Sequence, residues 1–169
     1  MVHLCLDFEG VLIPEIWQCL AKEVNSDELM LTTQDLKDYD ELMSLRMKVV
    51  NEKNIKLSDI QKIVKNIDPF DGAQEFLEWA RSKFQVTIVS DTFYELAWPL
   101  VEKLGYPSII CHNMTVENDK ITGYKLRQPN NKQKVIEALQ SLKFKVFASG
   151  DSYNDINMLN TCLLYTSDA

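Results

Sequence analysis

Three apolar runs in this chain end on groups that can do chemistry. LCLDFEGVL carries Asp7 and Glu9 two residues apart, followed by Gly10. VTIVSDT ends on Ser90 and Asp91, and VFASGDSYND ends on Asp151, with Asn154 and Asp155 just beyond. Lys132 lies between the last two, at the start of a helical pattern. Asp7 and Asp151 together suit a hard divalent cation, which takes carboxylate and carbonyl oxygens; Mg²⁺ prefers one or two carboxylates, waters and a phosphate oxygen. Ser90 could donate a hydrogen bond to that phosphate and Lys132 could neutralise it. Asp7 could attack phosphorus in line and become an aspartyl phosphate. Glu9 could protonate the departing oxygen and then deprotonate the attacking water.

Taken singly, each residue has a plainer reading. Acids after a strand commonly cap the next turn. Lys132 has Lys125, Lys134, Lys143 and Lys145 nearby and could be an ordinary surface lysine. Glu15 and Arg46 alone are a helix-start acid and a surface base. The chemical reading needs a scaffold that brings the run-ends together.

The alternation of patterns supplies one. Residues 3–7 read as a short strand, apolar through Leu4, Cys5 and Leu6, as expected where both faces are covered. After Pro14, Ile16, Trp17, Leu20, Ala21 and Val24 recur at helical spacing, and helical faces continue to Asp68. N-cap chemistry is expected at Thr33 in LTTQDL and at Ser58 in LSDI. Beyond Pro69 come a helix over 72–83, a strand through FQVTIVSD, and a helix over 94–104 that Pro99 should kink or break. A strand through SIICHNMTV, a hairpin around Asn118-Asp119, a helix over 131–142 and a strand through FKVFASGDS follow. Such alternation predicts an α/β fold, a parallel sheet with helices on both faces. Ligands bind beyond the carboxyl ends of such strands, which is where Asp7, Ser90-Asp91 and Asp151 fall. The expected division is a catalytic core of residues 1–13 and 69–169 and a small helical cap of residues 14–68.

Composition narrows the class. The 169 residues suffice for one compact domain with a small insertion, and 46% hydrophobic with 25% charged residues is ordinary for a globular protein. A net charge of −7 offers no footprint for nucleic acid. No apolar run is long enough to span a bilayer. The N-terminus lacks the basic region of a secretory signal, so a cytoplasmic protein is expected. Cys5, Cys19, Cys111 and Cys162 lack metal-ligand spacing and read as free thiols. His3 and His112 flank apolar strands and read as structural.

DFEGV, SDT, Lys132 and GDSYND, in this order, resemble the four motifs of the haloacid dehalogenase superfamily of phosphotransferases. The superfamily begins with Asp-x-Asp where this chain has Asp-x-Glu. That departure, with GVLIPEIW, DYDELMSLR, LSDIQ, QVTIVSDTFYE and GYKLRQ, resembles the branch of phosphoserine phosphatases that are also phosphoserine–homoserine phosphotransferases. The resemblance implies a Rossmann-like core and Mg²⁺ as cofactor. It implies Asp7 as nucleophile and metal ligand, and Glu9 as acid/base with its backbone carbonyl facing the metal. Ser90, the backbone at Asp91, and Lys132 would hold the phosphoryl group, with Asn154 placed to contact it. Asp151 would be the other carboxylate on Mg²⁺, with Asp155 orienting the metal's waters. In the cap, Glu15 would bind the substrate's ammonium and Arg46 its carboxylate, a match to the two charges of an amino acid.

The implied substrate is O-phosphoserine, with homoserine as a second phosphoryl acceptor. Glu9 is one methylene longer than Asp; a longer, more mobile acid could admit an alcohol in place of water. Two rivals stand beside this reading, with a flavodoxin-like receiver domain as a weaker third that a cap insert after the first strand and a paired Glu9 do not suit. One is a phosphatase of another small phosphate ester, which would not need Glu15 and Arg46 as a pair. The other is a truncated, non-catalytic fragment that only binds. The family's domain continues past its fourth motif with another strand and helix, and CLLYTSDA does not resemble that continuation. Residues 162–169 are therefore expected to be foreign read-through at a truncated C-terminus, leaving one sheet edge uncovered.

Overall fold

The computed structural model describes residues 1–162 and the backbone of Leu164–Ser167. Its strands are β1 (Val2–Leu6), β2 (Gln85–Phe93), β3 (Ile109–Glu117), β4 (Lys120–Lys125), β5 (Lys145–Gly150) and β6 (Leu164–Ser167). They form one sheet in the order β4-β3-β2-β1-β5-β6, parallel except for β4 against β3. Side chains alternate across a sheet, so successive residues feed different cores. Leu6 and Ile88 pack with Leu77 of α4 (Ala73–Lys83) and Leu100 of α5 (Tyr94–Lys103). Their neighbours Cys5 and Val89 pack with Val135 and Ile136 of α6 (Asn131–Ser141) and Met158 of α7 (Ile156–Thr161). Both faces are thus covered by helices, as an unbroken apolar strand requires.

Register decides what meets at the edge. Leu6 lies opposite Ile88 on one side and Ser149 on the other. Asp7 continues the ladder, its N–H donating to the Ser149 carbonyl at 2.9 Å. Ser90 and Asp151, each two residues beyond those partners, therefore emerge beside Asp7.

Three helices intervene between β1 and α4: α1 (Ile16–Val24), α2 (Tyr39–Glu52) and α3 (Leu57–Lys65). Leu20, Met43, Ile60 and Val64 from these helices belong to the same apolar cluster as Leu6 and Ile88. The β3–β4 hairpin clasps them. Its turn residues Asn118 and Asp119 both take positive φ, the conformation a two-residue turn needs. Asp119 then accepts from Leu57 N–H through its carbonyl and from Ser58 N–H and Oγ–H through its carboxylate, at 3.0, 2.9 and 2.6 Å. Tyr124 of β4 donates to Asp40 of α2 at 2.7 Å.

These contacts correct two expected caps. Ser58 lies inside α3, and its hydroxyl donates to Asp119 instead of accepting from helix amides. No helix begins at Thr33: Asp35 accepts from Thr32 N–H and hydroxyl and closes a turn there. The cap of α2 is Asp38, whose side chain accepts from Asp40 and Glu41 N–H. Pro99 does not break its helix either. The Glu95 carbonyl, which a residue 99 amide would have bonded, accepts from Gln61 Nε2 of α3 at 2.9 Å.

The expectation that 162–169 is foreign read-through lies partly outside the described residues, at 163, 168 and 169. The Leu164–Ser167 backbone pairs in parallel with β5 from Phe147 to Gly150, so that edge of β5 carries a strand. Among the described residues no helix is long and apolar enough to cross a membrane.

Candidate active site

Beyond the carboxyl ends of the strands lies a polar cavity of about 410 Å³. Asp7, Glu9, Glu15, Arg46, Ser90, Asp91, Lys132, Asp151 and Asn154 all line it; Asp155 lies fully buried beneath. A larger groove of about 550 Å³ over β1 and β5 is lined mainly by apolar side chains such as Leu4, Leu6, Phe70 and Phe76. With Asp71 as its only titratable lining group among the described residues, it offers little for phosphoryl chemistry.

Lys132 organises the floor. It rises from the first turn of α6, is 4% exposed, and its Nζ donates to Asp7 Oδ2 and Asp155 Oδ1, both at 2.7 Å. Asp91 lies 3.8 Å from the same ammonium. Burial opposes the charge on Lys132, but the carboxylates outweigh it and hold the group above its ordinary range. The other oxygen of Asp7 accepts from Phe8 N–H at 2.7 Å, so its carboxylate is fixed at both ends. Asp155 Oδ2 accepts from Ser152 N–H and Oγ–H, both at 3.0 Å. Both oxygens of Asp155, like those of Asp7, are thus engaged within the protein.

The donor set fits a hard divalent cation. One oxygen each from Asp7, Asp151 and Asp155 lie within 4.8 Å of one another. Asp151 Oδ1 is buried without a hydrogen-bond partner among the described residues. Burial raises the pKa of Asp7 well above the carboxylate range, and burial and Asp155 raise that of Asp151. One lysine among these acids leaves negative charge uncompensated, and carboxylate oxygens are what such a cation takes. Two glycines make the cluster possible. A Cβ on Gly10 would fall 2.1 Å from Asp151 Oδ2, and one on Gly150 2.3 Å from Asp155 Cγ.

Ser90 sits where β2 shifts register against β3, between Val89 and Phe93. Such bulges free side chains from the ladder and re-aim them. Ser90 Oγ accepts from Thr92 N–H at 3.2 Å, leaving its own proton available to a ligand. Asp91 accepts from Asn154 Nδ2 at 2.9 Å and faces His112 Nε2 at 3.4 Å. Because His112 Nδ1 accepts from Arg127 N–H, the ring proton sits on Nε2, toward Asp91. Burial opposes ionisation of Asp91, but Lys132, His112 and Asn154 hold its pKa below the ordinary value. Tyr39, at the start of α2, donates to the Asp91 carbonyl at 2.8 Å and pins α2 to the end of β2.

Glu9 reaches the other way. Its Oε1 accepts from Ile16 N–H, the first amide of α1, at 2.7 Å. Glu9 thereby caps α1 from outside, and the carboxyl is not free to swing as the sequence alone implied. Glu15, in the N-cap position, makes no capping bond and turns its side chain to the cavity. Burial, with repulsion from Glu9 and Asp151, lifts its pKa to about 7. Arg46 stacks 4.9 Å over Trp17 and donates from Nη2 to the Leu31 carbonyl at 3.1 Å. Its buried Nε–H has no partner among the described residues.

Sequence reasoning missed Tyr39, Trp17, Thr92 and Gly150. Each lies within a quoted motif stretch, but for Tyr39 and Trp17 the partners, the Asp91 carbonyl and Arg46, lie far along the chain.

The haloacid dehalogenase-like hydrolase family matches residues 9–160. The chain belongs to this family. Among curated relatives, phosphoserine phosphatase ThrH of Pseudomonas aeruginosa is 46% identical over 157 residues, 92% of this chain and 77% of that protein. A phosphoserine phosphatase of Pseudomonas syringae pv. tomato is 46% identical over 156 residues, 92% of this chain but 66% of the relative. The fold is similar to a phosphoserine phosphatase from T. onnurineus, with TM-score 0.78 and 23% identity over 98% of this chain and 82% of that one. A phospho-aspartyl intermediate analogue of phosphoserine phosphatase gives TM-score 0.75 at 23% identity, covering 97% and 84%. The segment between β1 and α4 supplies Glu15 and Arg46 to the same cavity.

Proposed function

We propose that this chain is a Mg²⁺-dependent phosphoserine phosphatase acting through an aspartyl phosphate. The observation that carries the proposal is that two charge sets line one cavity. Asp7, Ser90 and Lys132 suit a phosphoryl group; Glu15 and Arg46 suit an ammonium and a carboxylate. O-phosphoserine bears all three charges. The relatives' names point to the same substrate.

Arg46, with its unpartnered Nε–H, holds the substrate carboxylate, and Glu15 the ammonium. Ser90 Oγ–H and Lys132 hold the phosphoryl oxygens. An Asp7 oxygen forms a bond to phosphorus as the bond from phosphorus to the serine oxygen breaks. Glu9 gives its proton to that oxygen and serine leaves. Because Glu9 Oε1 is engaged by Ile16 N–H, Oε2 carries the transferable proton. Water then attacks phosphorus, Glu9 takes its proton, and Asp7 is released with inorganic phosphate. Homoserine in place of water would give phosphoryl transfer. Asp7, Asp151 and the Glu9 carbonyl would hold Mg²⁺, with Asp155 orienting its waters. The ion supplies charge neutralisation that lets carboxylate and phosphate approach.

The test is phosphate release from O-phosphoserine with Mg²⁺, with chelator, and for Asp7→Asn. Release that requires both metal and Asp7 is expected. Silence of the wild-type chain on O-phosphoserine, with turnover of other phosphate esters, would overturn the substrate assignment.

A further inference from the structure

Side chains hold the backbone around Ser90. Residues 90–92 fall between the Val89–Ile110 and Phe93–His112 pairs of β2 and β3, where the register shifts. Asn131 Nδ2 donates to the Ser90 carbonyl at 3.5 Å, and Tyr39 Oη–H to the Asp91 carbonyl at 2.8 Å. Thr92 N–H donates to Ser90 Oγ at 3.2 Å. The peptide unit between Asp91 and Thr92 is therefore held at both ends, its oxygen by Tyr39 and its N–H by Ser90 Oγ. That N–H occupies one lone pair of the Ser90 hydroxyl and so limits where its proton can point.

Tyr39 is also the first residue of α2, and Arg46 lies seven residues on. Seven residues make about two turns, so both residues fall on one helix face, about 10.5 Å apart along its axis. Both line the same cavity. The Tyr39 ring lies edge-on to His112 and Tyr124, with centroids at 6.2 and 6.4 Å, which seats this end of the helix against β3 and β4.

We propose that Tyr39 is a positioning residue that couples the two ends of the substrate. Its hydroxyl sets the peptide that orients Ser90 toward the phosphoryl group. Its helix sets how far from that group Arg46 holds the carboxylate. The inference rests on the substrate proposed above and assigns the spacing between its two charge sites to one hydroxyl.

Phosphoethanolamine keeps the ester and the ammonium of O-phosphoserine but lacks the carboxylate, so it gives Arg46 nothing to hold. The experiment measures kcat/KM for both esters with wild type and with Tyr39→Phe, which keeps the ring and removes only the hydroxyl. Both measurements are repeated in an Arg46→Gln background. A hydrogen bond between neutral groups is worth up to about tenfold. Tyr39→Phe should lose about tenfold on O-phosphoserine, where both ends must be met at once, and less than about threefold on phosphoethanolamine. In the Arg46→Gln background its loss on O-phosphoserine should shrink to less than about threefold, because coupled residues are not additive. A general loosening of the fold would lower both esters together and leave their ratio unchanged. No loss on O-phosphoserine, a loss on phosphoethanolamine as large or larger, or the same loss with and without Arg46 would overturn the inference and leave the substrate assignment standing. Failure of that assignment reads differently: wild type would turn over phosphoethanolamine at least as well as O-phosphoserine, and the inference would fall with it.

Discussion

Gly10→Ala separates backbone strain from damage to the acid cluster. Gly10 has φ +78°, a region an L side chain enters at a cost of about 1–2 kcal/mol. At 2–4 °C per kcal/mol for a chain of this size, Tm should fall by roughly 2–8 °C. Gly72, at the start of α4, has φ +83° with open space around it, so Gly72→Ala meets the same strain and nothing else. At Gly10 the new methyl would also lie 2.1 Å from Asp151 Oδ2, where 3.4 Å is ordinary contact, so the carboxylate must retreat by about 1.3 Å. Mg²⁺ demands oxygens at about 2.0–2.1 Å in near-ideal geometry and would not follow. Disturbing groups that orient ligands costs about 10–100-fold in metal affinity, and displacing a ligand should cost at least that. The assay is phosphate release titrated with Mg²⁺, beside thermal melts of both variants. Gly10→Ala should need at least about tenfold more Mg²⁺ for half-maximal rate, and Gly72→Ala the wild-type amount. Matched losses of Tm with unchanged Mg²⁺ dependence in Gly10→Ala would refute the placement of Asp151 on the metal.

Glu9→Asp withdraws the carboxyl by one methylene, about 1.5 Å, and removes the bond to Ile16 N–H. Loss of this cap should cost about 1 kcal/mol, read as a Tm lower by some 2–4 °C. With homoserine present, the ratio of transfer to hydrolysis should change; a constant ratio would remove the length of Glu9 as the cause of transfer. Glu15, with a pKa of about 7, attracts the substrate ammonium only when ionised. Its pull is nearly complete at pH 8, half lost at pH 7 and largely lost at pH 6, so KM for O-phosphoserine should rise about tenfold between pH 8 and pH 6. Phosphate also gains a proton near there, so Glu15→Gln is the control: it should raise KM at pH 8 and flatten the rise. A wild-type profile identical to that of Glu15→Gln would sink the assignment.

The α/β architecture was legible because periodicity is local. Leu4, Cys5 and Leu6 announce a strand covered on both faces, and a polar end to such a strand marks the ligand-binding edge. The hairpin at Asn118-Asp119 was equally local, since two residues that tolerate positive φ suffice. What failed depended on distant partners. Ser58 looks like a cap until Asp119 takes its hydroxyl, and Pro99 looks like a break until Gln61 bonds the stranded Glu95 carbonyl. Thr33 carries cap chemistry, yet the turn that Asp35 closes with Thr32 delays the helix to Asp38.

The candidate site divides in the same way. Residue types and spacing singled out Asp7, Glu9, Ser90 and Asp151 at strand ends and Lys132 at a helix start, while the roles of Glu15, Arg46, Asn154 and Asp155 came from the family resemblance. The tertiary structure decided how they share their bonds. Lys132 joins Asp7 to Asp155 across 125 and 23 residues of chain. Glu9 is held by an amide of the helical insert, which frees Glu15 to face the cavity. The charge state of a carboxylate follows from burial and neighbouring charge, and which groups become neighbours is set only when the chain closes on itself.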